Sequence, residues 1–232
     1  MERIPDRQCL LVAHHDGGVF PVNGICIGVE WYSHFEFKRP LYVLVHDLIQ
    51  RLFQPFTDLL PKSGVVPADR NFMDAIIPHG HDMLVFPGAS RETFRPFWER
   101  RKIDLGGRMG FVRQAMKHRL PIVPVVSAGS HETLFVLHRG AKLAELLQLR
   151  RIVRSADSLP IMAGLPWGLW ALPFLPQLPL PAKVTSEVLE PILLEGDPGD
   201  LRAVKQGFDL VLDRMQRALN ALYDERRWPV IG

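Results

Sequence analysis

The chain has 232 residues, of which 47% are apolar and 23% charged, with a net charge of +3 and a mean hydropathy of +0.03. That is the composition of a globular protein with one core, not of a disordered segment, and we read residues 1–232 as one domain. The small positive surplus comes without a zinc-finger, RRM or basic-zipper pattern, so nucleic acid is not an expected partner.

In chain order, Met-Glu-Arg-Ile-Pro-Asp-Arg stands before any apolar run, so a signal peptide of the usual n-region and h-region form is not expected. Leu10 to Ala13 reads as a strand, followed by the loop His14-His15-Asp16-Gly17-Gly18. Asn23 to Phe37 and Asp47 to Leu60 have helical apolar spacing, with a strand at Leu41 to Val45 between them. A short helix is expected over Asn71 to Pro78, then a buried strand from Asp82 that ends on a turn at Gly88. Gly110 to Arg119 is helical and leads into a strand at Pro121 to Val126, and after a variable region around Arg139 to Arg154, Lys183 to Ile192 alternates like a late strand. From Pro198 to Arg227, the residues Leu201, Val204, Phe208, Val211, Leu212, Met215, Leu219 and Leu222 fall on one helical stripe, with Pro198 suited to the first turn. Strands alternating with helices predict an α/β fold with a central mixed sheet flanked by helices.

Many of the 20 prolines fall in Ser158 to Ala182, a run without a charged residue. It is long enough to cross a hydrocarbon core of about 30 Å as a helix, but its six prolines would break the helix and expose unpaired backbone to lipid. The run is therefore expected to be an apolar loop region that lies on a membrane surface or lines a greasy tunnel, with Trp167 and Trp170 at headgroup level. The alternative is that it simply packs on the core. Cys9 and Cys26 form no CxxC pair, which fits a reducing, cytoplasmic setting and argues against a thiolate metal site.

The chemically suggestive groups sit at predicted strand ends, where open α/β sheets place ligands. His14 or His15 has the near-neutral pKa of a general base, and Gly17 and Gly18 permit close approach. In Phe86-Pro87-Gly88-Ala89-Ser90-Arg91-Glu92 an arginine follows a turn, offering a planar fork to a phosphate or carboxylate. Gly64 to Arg70 and Leu120 to Val125 complete a set of four blocks. In this order they resemble the glycerolipid acyltransferase superfamily, the lysophosphatidic acid acyltransferase-like proteins. The third block is nearest to the PGG-x-R-E of the monoacylglycerol- and diacylglycerol-acyltransferase-like subgroup. The likeness extends to the closing stretch Leu178 to Ile192, and so over nearly the whole chain.

The resemblance implies an αβα-layered fold of the glycerol-phosphate-acyltransferase type. It implies transfer of an acyl group from an acyl-CoA or acyl carrier protein thioester to a hydroxyl of a glycerolipid or other lipid acceptor, without a metal or cofactor. His15, which precedes Asp16-Gly17-Gly18 where the family has His-x-Gly-Gly, takes the role of base, and an acid orients its ring. Arg91 and Arg70 would hold a phosphate, and His14, Gly17, Gly18, Pro87, Gly88 and Ser90 would line the substrate site. The protein is then expected on the cytoplasmic face of a membrane, bound peripherally.

One position departs from the pattern. Five residues after His15 stands Phe20 instead of an acid, and the subgroup's P-x-D is here Pro21-Val22-Asn23. An Asn can orient an imidazole but cannot stabilise its cation by charge, and in a related triad the same exchange costs about 10⁴ in turnover. Either Asp16 or Glu92 supplies the carboxylate, or the chain is a degenerate, lipid-binding acyltransferase-like domain. Gly88, where phosphatidic-acid-forming members have Glu, disfavours a lysophosphatidic acid acceptor. A metal-dependent hydrolase built on His14, His15, Asp16 and the His79-Gly80-His81-Asp82 cluster is the rival enzyme reading, but Leu84 stands where a zinc motif would need a histidine.

Overall fold

Alternate residues of the central strands feed two separate apolar layers, which is what a sheet covered on both faces requires. Leu10 and Val12 belong to one buried cluster, and Leu11 and Ala13 to another. The structure, a computed structural model, describes residues 1–18, 22–45, 59–148, 158–172, 175 and 177–228. The expected helix at Asp47 to Leu60 therefore lies almost wholly outside the described residues, as does the later part of the region to Arg154.

The six-stranded sheet has the order β3-β2-β4-β1-β5-β9. Its strands are β1 (Leu10–Ala13), β2 (Leu41–Val45), β3 (Val65–Pro67), β4 (Asp82–Val85), β5 (Ile122–Ala128) and β9 (Thr185–Val188). The first five run parallel, and β9 closes one edge antiparallel to β5. On one face lies α1 (Val22–His34), which buries Ile27 and Trp31. On the other lie α3 (Arg70–Ile76), α5 (Gly110–His118) and α7 (Leu201–Glu225); α2 (Leu59–Lys62) is a single turn before β3, and α4 (Ala89–Thr93) follows β4. The chain is thus an α/β protein with a central, mostly parallel sheet flanked by helices.

The long closing helix shows how the pattern translates into packing. Val204, Phe208, Val211, Met215, Leu219 and Tyr223 are buried, but Leu201 is 57% exposed and lies off the stripe. Pro198 is not in the first turn. Asp200 caps the helix, its side chain accepting from Arg202 N at 2.9 Å. Replacing Asp200 by Ala is expected to cost about 1 kcal/mol, read as a fall in urea midpoint at unchanged slope.

A second sheet of β6 (Phe135–His138), β7 (Ile161–Gly164) and β8 (Gly168–Trp170) is antiparallel; α6 (Ala141–Leu146) lies between β6 and β7 in the chain. This corrects the expectation for Ser158 to Ala182, since part of the run is a strand hairpin. Its backbone donors pair across the ladder, and its prolines fall outside β7 and β8. Trp170 is buried with Phe94, Leu134, Val136 and Met162, so only Trp167 of the two tryptophans is exposed. No helix among the described residues is long and apolar enough to cross a membrane.

Candidate active site

Three neighbouring parallel strands, β4, β1 and β5, release their chains at the same edge of the sheet, and each carries one part of the site. The chain leaves β1 toward α1 on one face and reaches β5 from α5 on the other, the arrangement at which open α/β sheets place their ligand sites. After β1 come His14 to Gly18, after β4 come Phe86 to Glu92, and after β5 come Gly129, Ser130 and His131.

The two adjacent histidines have opposite environments. His14 has no exposed surface; its Nδ1 lies 3.1 Å from Asp16 Oδ2, and its Nε2 accepts from Ser127 N at 2.9 Å. Both ring nitrogens face protein groups. His15 is half-buried, its ring edge-on to Phe86 at 5.3 Å between centroids. Burial pushes the His15 imidazole down to about 4, against the pull of the Asp16 carboxylate and with His14 and Arg95 adding to the fall. His15 is accordingly neutral at physiological pH, the form in which an imidazole accepts a proton.

Asp16 does not reach the His15 ring. It anchors a buried polar cluster: Arg95 pairs with Oδ1, Ser130 Oγ donates to Oδ2 at 2.8 Å, and His131 Nδ1 lies 3.7 Å from Oδ1. Burial opposes the Asp16 charge, but His14, Arg95 and His131 hold its carboxyl well below the usual carboxylate range. Glu92 is equally buried and sits beside Arg95 at 3.3 Å. It also accepts from two main-chain amides, His15 N at 3.0 Å and Asp104 N at 3.1 Å. Neither carboxylate occupies the position of an acid on the His15 ring.

Asn23 lies in the first turn of α1, fully buried, and its Nδ2 donates to the His14 carbonyl at 2.6 Å. The buried polar atoms here without a hydrogen-bond partner among the described residues include His15 Nδ1 and Asn23 Oδ1, along with His14 Nδ1, Arg95 Nε and both ring nitrogens of His131. The tight loop needs its glycines: Gly17 and Gly18 have φ of 77° and 86°. A Cβ on Gly18 would stand 2.6 Å from Leu134 Cδ2 and 2.9 Å from Gln177 Nε2. Gln177 itself donates to the Gly17 carbonyl at 2.9 Å, joining the proline-rich segment to the histidine loop.

In the turn after β4, Pro87 and Gly88 are buried, and their carbonyls accept from Arg108 Nη1 at 2.9 and 2.7 Å. Ser90 is half-buried in α4, and Arg91 is half-exposed, 3.5 Å from Asp104. Arg70 opens α3 after the edge strand β3, three places from β1 in the sheet order. The residues that sequence reasoning missed are Arg95, Arg108, Ser130 and His131. The last two directly follow β5, so the strand-end rule that singled out His15 would have found them.

Among the described residues no group of three or more His, Cys, Asp or Glu side chains is arranged to hold a metal ion. Asp82, part of the rival metal reading, is instead engaged by Cys9 N at 2.9 Å and Arg39 Nη2 at 2.7 Å.

The sheet edge thus carries the His15 imidazole on a glycine loop beside the turn that bears Arg91. Comparison with known proteins goes further: the diacylglycerol acyltransferase family matches over residues 2–227, and the chain belongs to that family. An uncharacterized protein of Mycobacterium tuberculosis is 29% identical over 232 residues, covering 98% of this chain and 61% of the relative. Diacylglycerol O-acyltransferase 2 of Bos taurus is 24% identical, covering 94% of this chain and 60% of the relative. The DGAT1/2-independent enzyme synthesizing storage lipids of Mus musculus is 25% identical over 143 residues, covering 57% and 38%. The chain thus spans about three fifths of the length of the first of these relatives. No solved structure matches it.

Proposed function

We propose that this protein moves a fatty acyl group from an acyl-CoA thioester to a lipid hydroxyl, with His15 as general base. The observation that carries the reading is the His15 ring: neutral, half-buried, and held on the glycine loop beside the arginine-bearing turn. Nε2 takes the proton of the acceptor hydroxyl as its oxygen attacks the thioester carbon. The tetrahedral adduct then expels the thiolate, which leaves with that proton as the free thiol, so the C–S bond is exchanged for a C–O bond and the enzyme is unchanged. His15 Nδ1 and Asn23 Oδ1 each lack a hydrogen-bond partner among the described residues, and Asn23 instead holds the loop through its Nδ2 on the His14 carbonyl. Arg91 binds donor phosphate.

The acceptor class rests on the family and on the name of the bovine relative. Incubation with long-chain acyl-CoA and a panel of diacylglycerol, monoacylglycerol and fatty alcohol acceptors tests it, with ester and free CoA expected in equal amounts. Lipid binding without ester formation by any acceptor would favour the second reading, a degenerate lipid-binding domain, which Asn23 supports. The protein would work at a membrane surface. Trp167, Leu169 and Leu172, in and after the β7–β8 hairpin, are 48%, 67% and 61% exposed, and the same segment holds the histidine loop through Gln177. Each large apolar side chain withdrawn from water contributes about 1.5–3 kcal/mol. Replacing Trp167 and Leu169 together by Ser is therefore expected to lower partitioning onto phospholipid vesicles by at least about tenfold in a flotation assay, and unchanged flotation would contradict the assignment.

A further inference from the structure

We propose that Glu92 is a positioning residue that fixes where the His15 ring stands, acting through the His15 main-chain N–H, and that position 88 is glycine so that Glu92 can reach it. The inference rests on the reading of His15 as base. Three segments meet on this one carboxylate. Oε2 accepts from His15 N at 3.0 Å, while Oε1 accepts from Asp104 N at 3.1 Å and lies 3.3 Å from Arg95 Nη1. The two oxygens are therefore not equivalent: one faces an amide and a guanidinium, the other serves the histidine loop. Gly88 packs on the second. A Cβ there would fall 2.5 Å from Glu92 Cβ and closer still to Oε2, although its φ of −64° is ordinary for alanine. The glycine is needed for space and not for backbone conformation.

Two substitutions strike the same bond from opposite sides. In Glu92→Gln the side-chain carbonyl is drawn to the Oε1 position, where two donors compete for it, which turns the NH₂ group against the His15 N–H. Gly88→Ala displaces Oε2 directly. Each is expected to lower kcat for acyl transfer by about 10²-fold, the cost of a reacting group misplaced by about 1 Å, with KM for the thioester changed less than about twofold. The double variant is expected to be no worse than the poorer single one, because both remove one interaction. His15→Ala in the same assay separates the two ideas. If it stays active, the base assignment fails; if it is inactive while Glu92→Gln keeps wild-type kcat, or if the two losses multiply, the positioning role fails. Hydrogen exchange of the His15 amide supplies a readout independent of turnover. It is expected to speed up at least about tenfold in both variants while amides of β1 and β5 stay protected, and unchanged exchange in a folded variant would overturn the proposal.

Discussion

Replacing His15 by Ala is expected to lower kcat/KM for acyl transfer by about 10²- to 10⁴-fold, the usual contribution of a positioned proton acceptor. The fold should survive, because the residue is only half-buried, its Nδ1 has no partner among the described residues, and its ring meets Phe86 edge-on. The bond from the His15 amide to Glu92 belongs to the main chain and persists in the variant. His14→Ala is the contrasting case. Its ring lies between Asp16 and Ser127 N with no exposed surface, so its loss removes two buried interactions and is expected to act mainly on stability. Circular dichroism and urea unfolding on both variants, beside steady-state kinetics, distinguish the two roles.

The largest stability effect is expected at Asp16. Arg95 has no exposed side-chain surface, and its charge is met by Asp16 and Glu92 alone among the described carboxylates. Asp16→Asn keeps the shape of the side chain but leaves the guanidinium with only Glu92, and breaking a buried pair in this way costs about 3–5 kcal/mol. Arg95→Met leaves Asp16 with His14 and Ser130, and should cost less. The double variant should recover a large part of the loss, since replacing a whole buried pair by apolar groups is often close to neutral. The pH dependence follows from the same cluster. Because the folded-state pKa of Asp16 is held below its ordinary value, the unfolded chain takes up the proton first as pH falls. The stabilisation from Asp16 is therefore present in full above about pH 4 and is lost as pH drops through its folded-state pKa, and Asp16→Asn removes that component of the acid unfolding curve.

The elements that could be read from the chain are those whose signal is local. β1, β2 and β4 are short apolar runs ending on glycine or loop residues, and α7 carries its stripe over 25 residues, so period and punctuation suffice. β3 and β6 were not legible, because three or four residues without alternation mean nothing until a neighbouring strand pairs with them. The prolines of Ser158 to Ala182 correctly excluded a spanning helix but concealed a hairpin, whose register is set by pairing with β6. In the site, His15, Glu92 and Gly88 could be named from strand-end position and block order. Their relationship could not: that Glu92 holds the His15 backbone instead of its ring depends on β4 lying beside β1. Arg95 was missed because an arginine amid Phe94, Pro96 and Phe97 looks like a surface residue until the buried Asp16 is placed opposite it.

The central claim is that a half-buried, neutral His15 accepts the proton, and the pH dependence of kcat/KM for transfer from acyl-CoA to a lipid hydroxyl tests it most directly. The acid limb of the free-enzyme profile reports the pKa of the essential base. Since burial lowers the His15 imidazole to about 4, activity should hold steady as pH is lowered through the ordinary imidazole range and decline only near that value. A limb centred near about 6.5, the value of an unperturbed histidine, or an unchanged profile in His15→Ala would contradict the account.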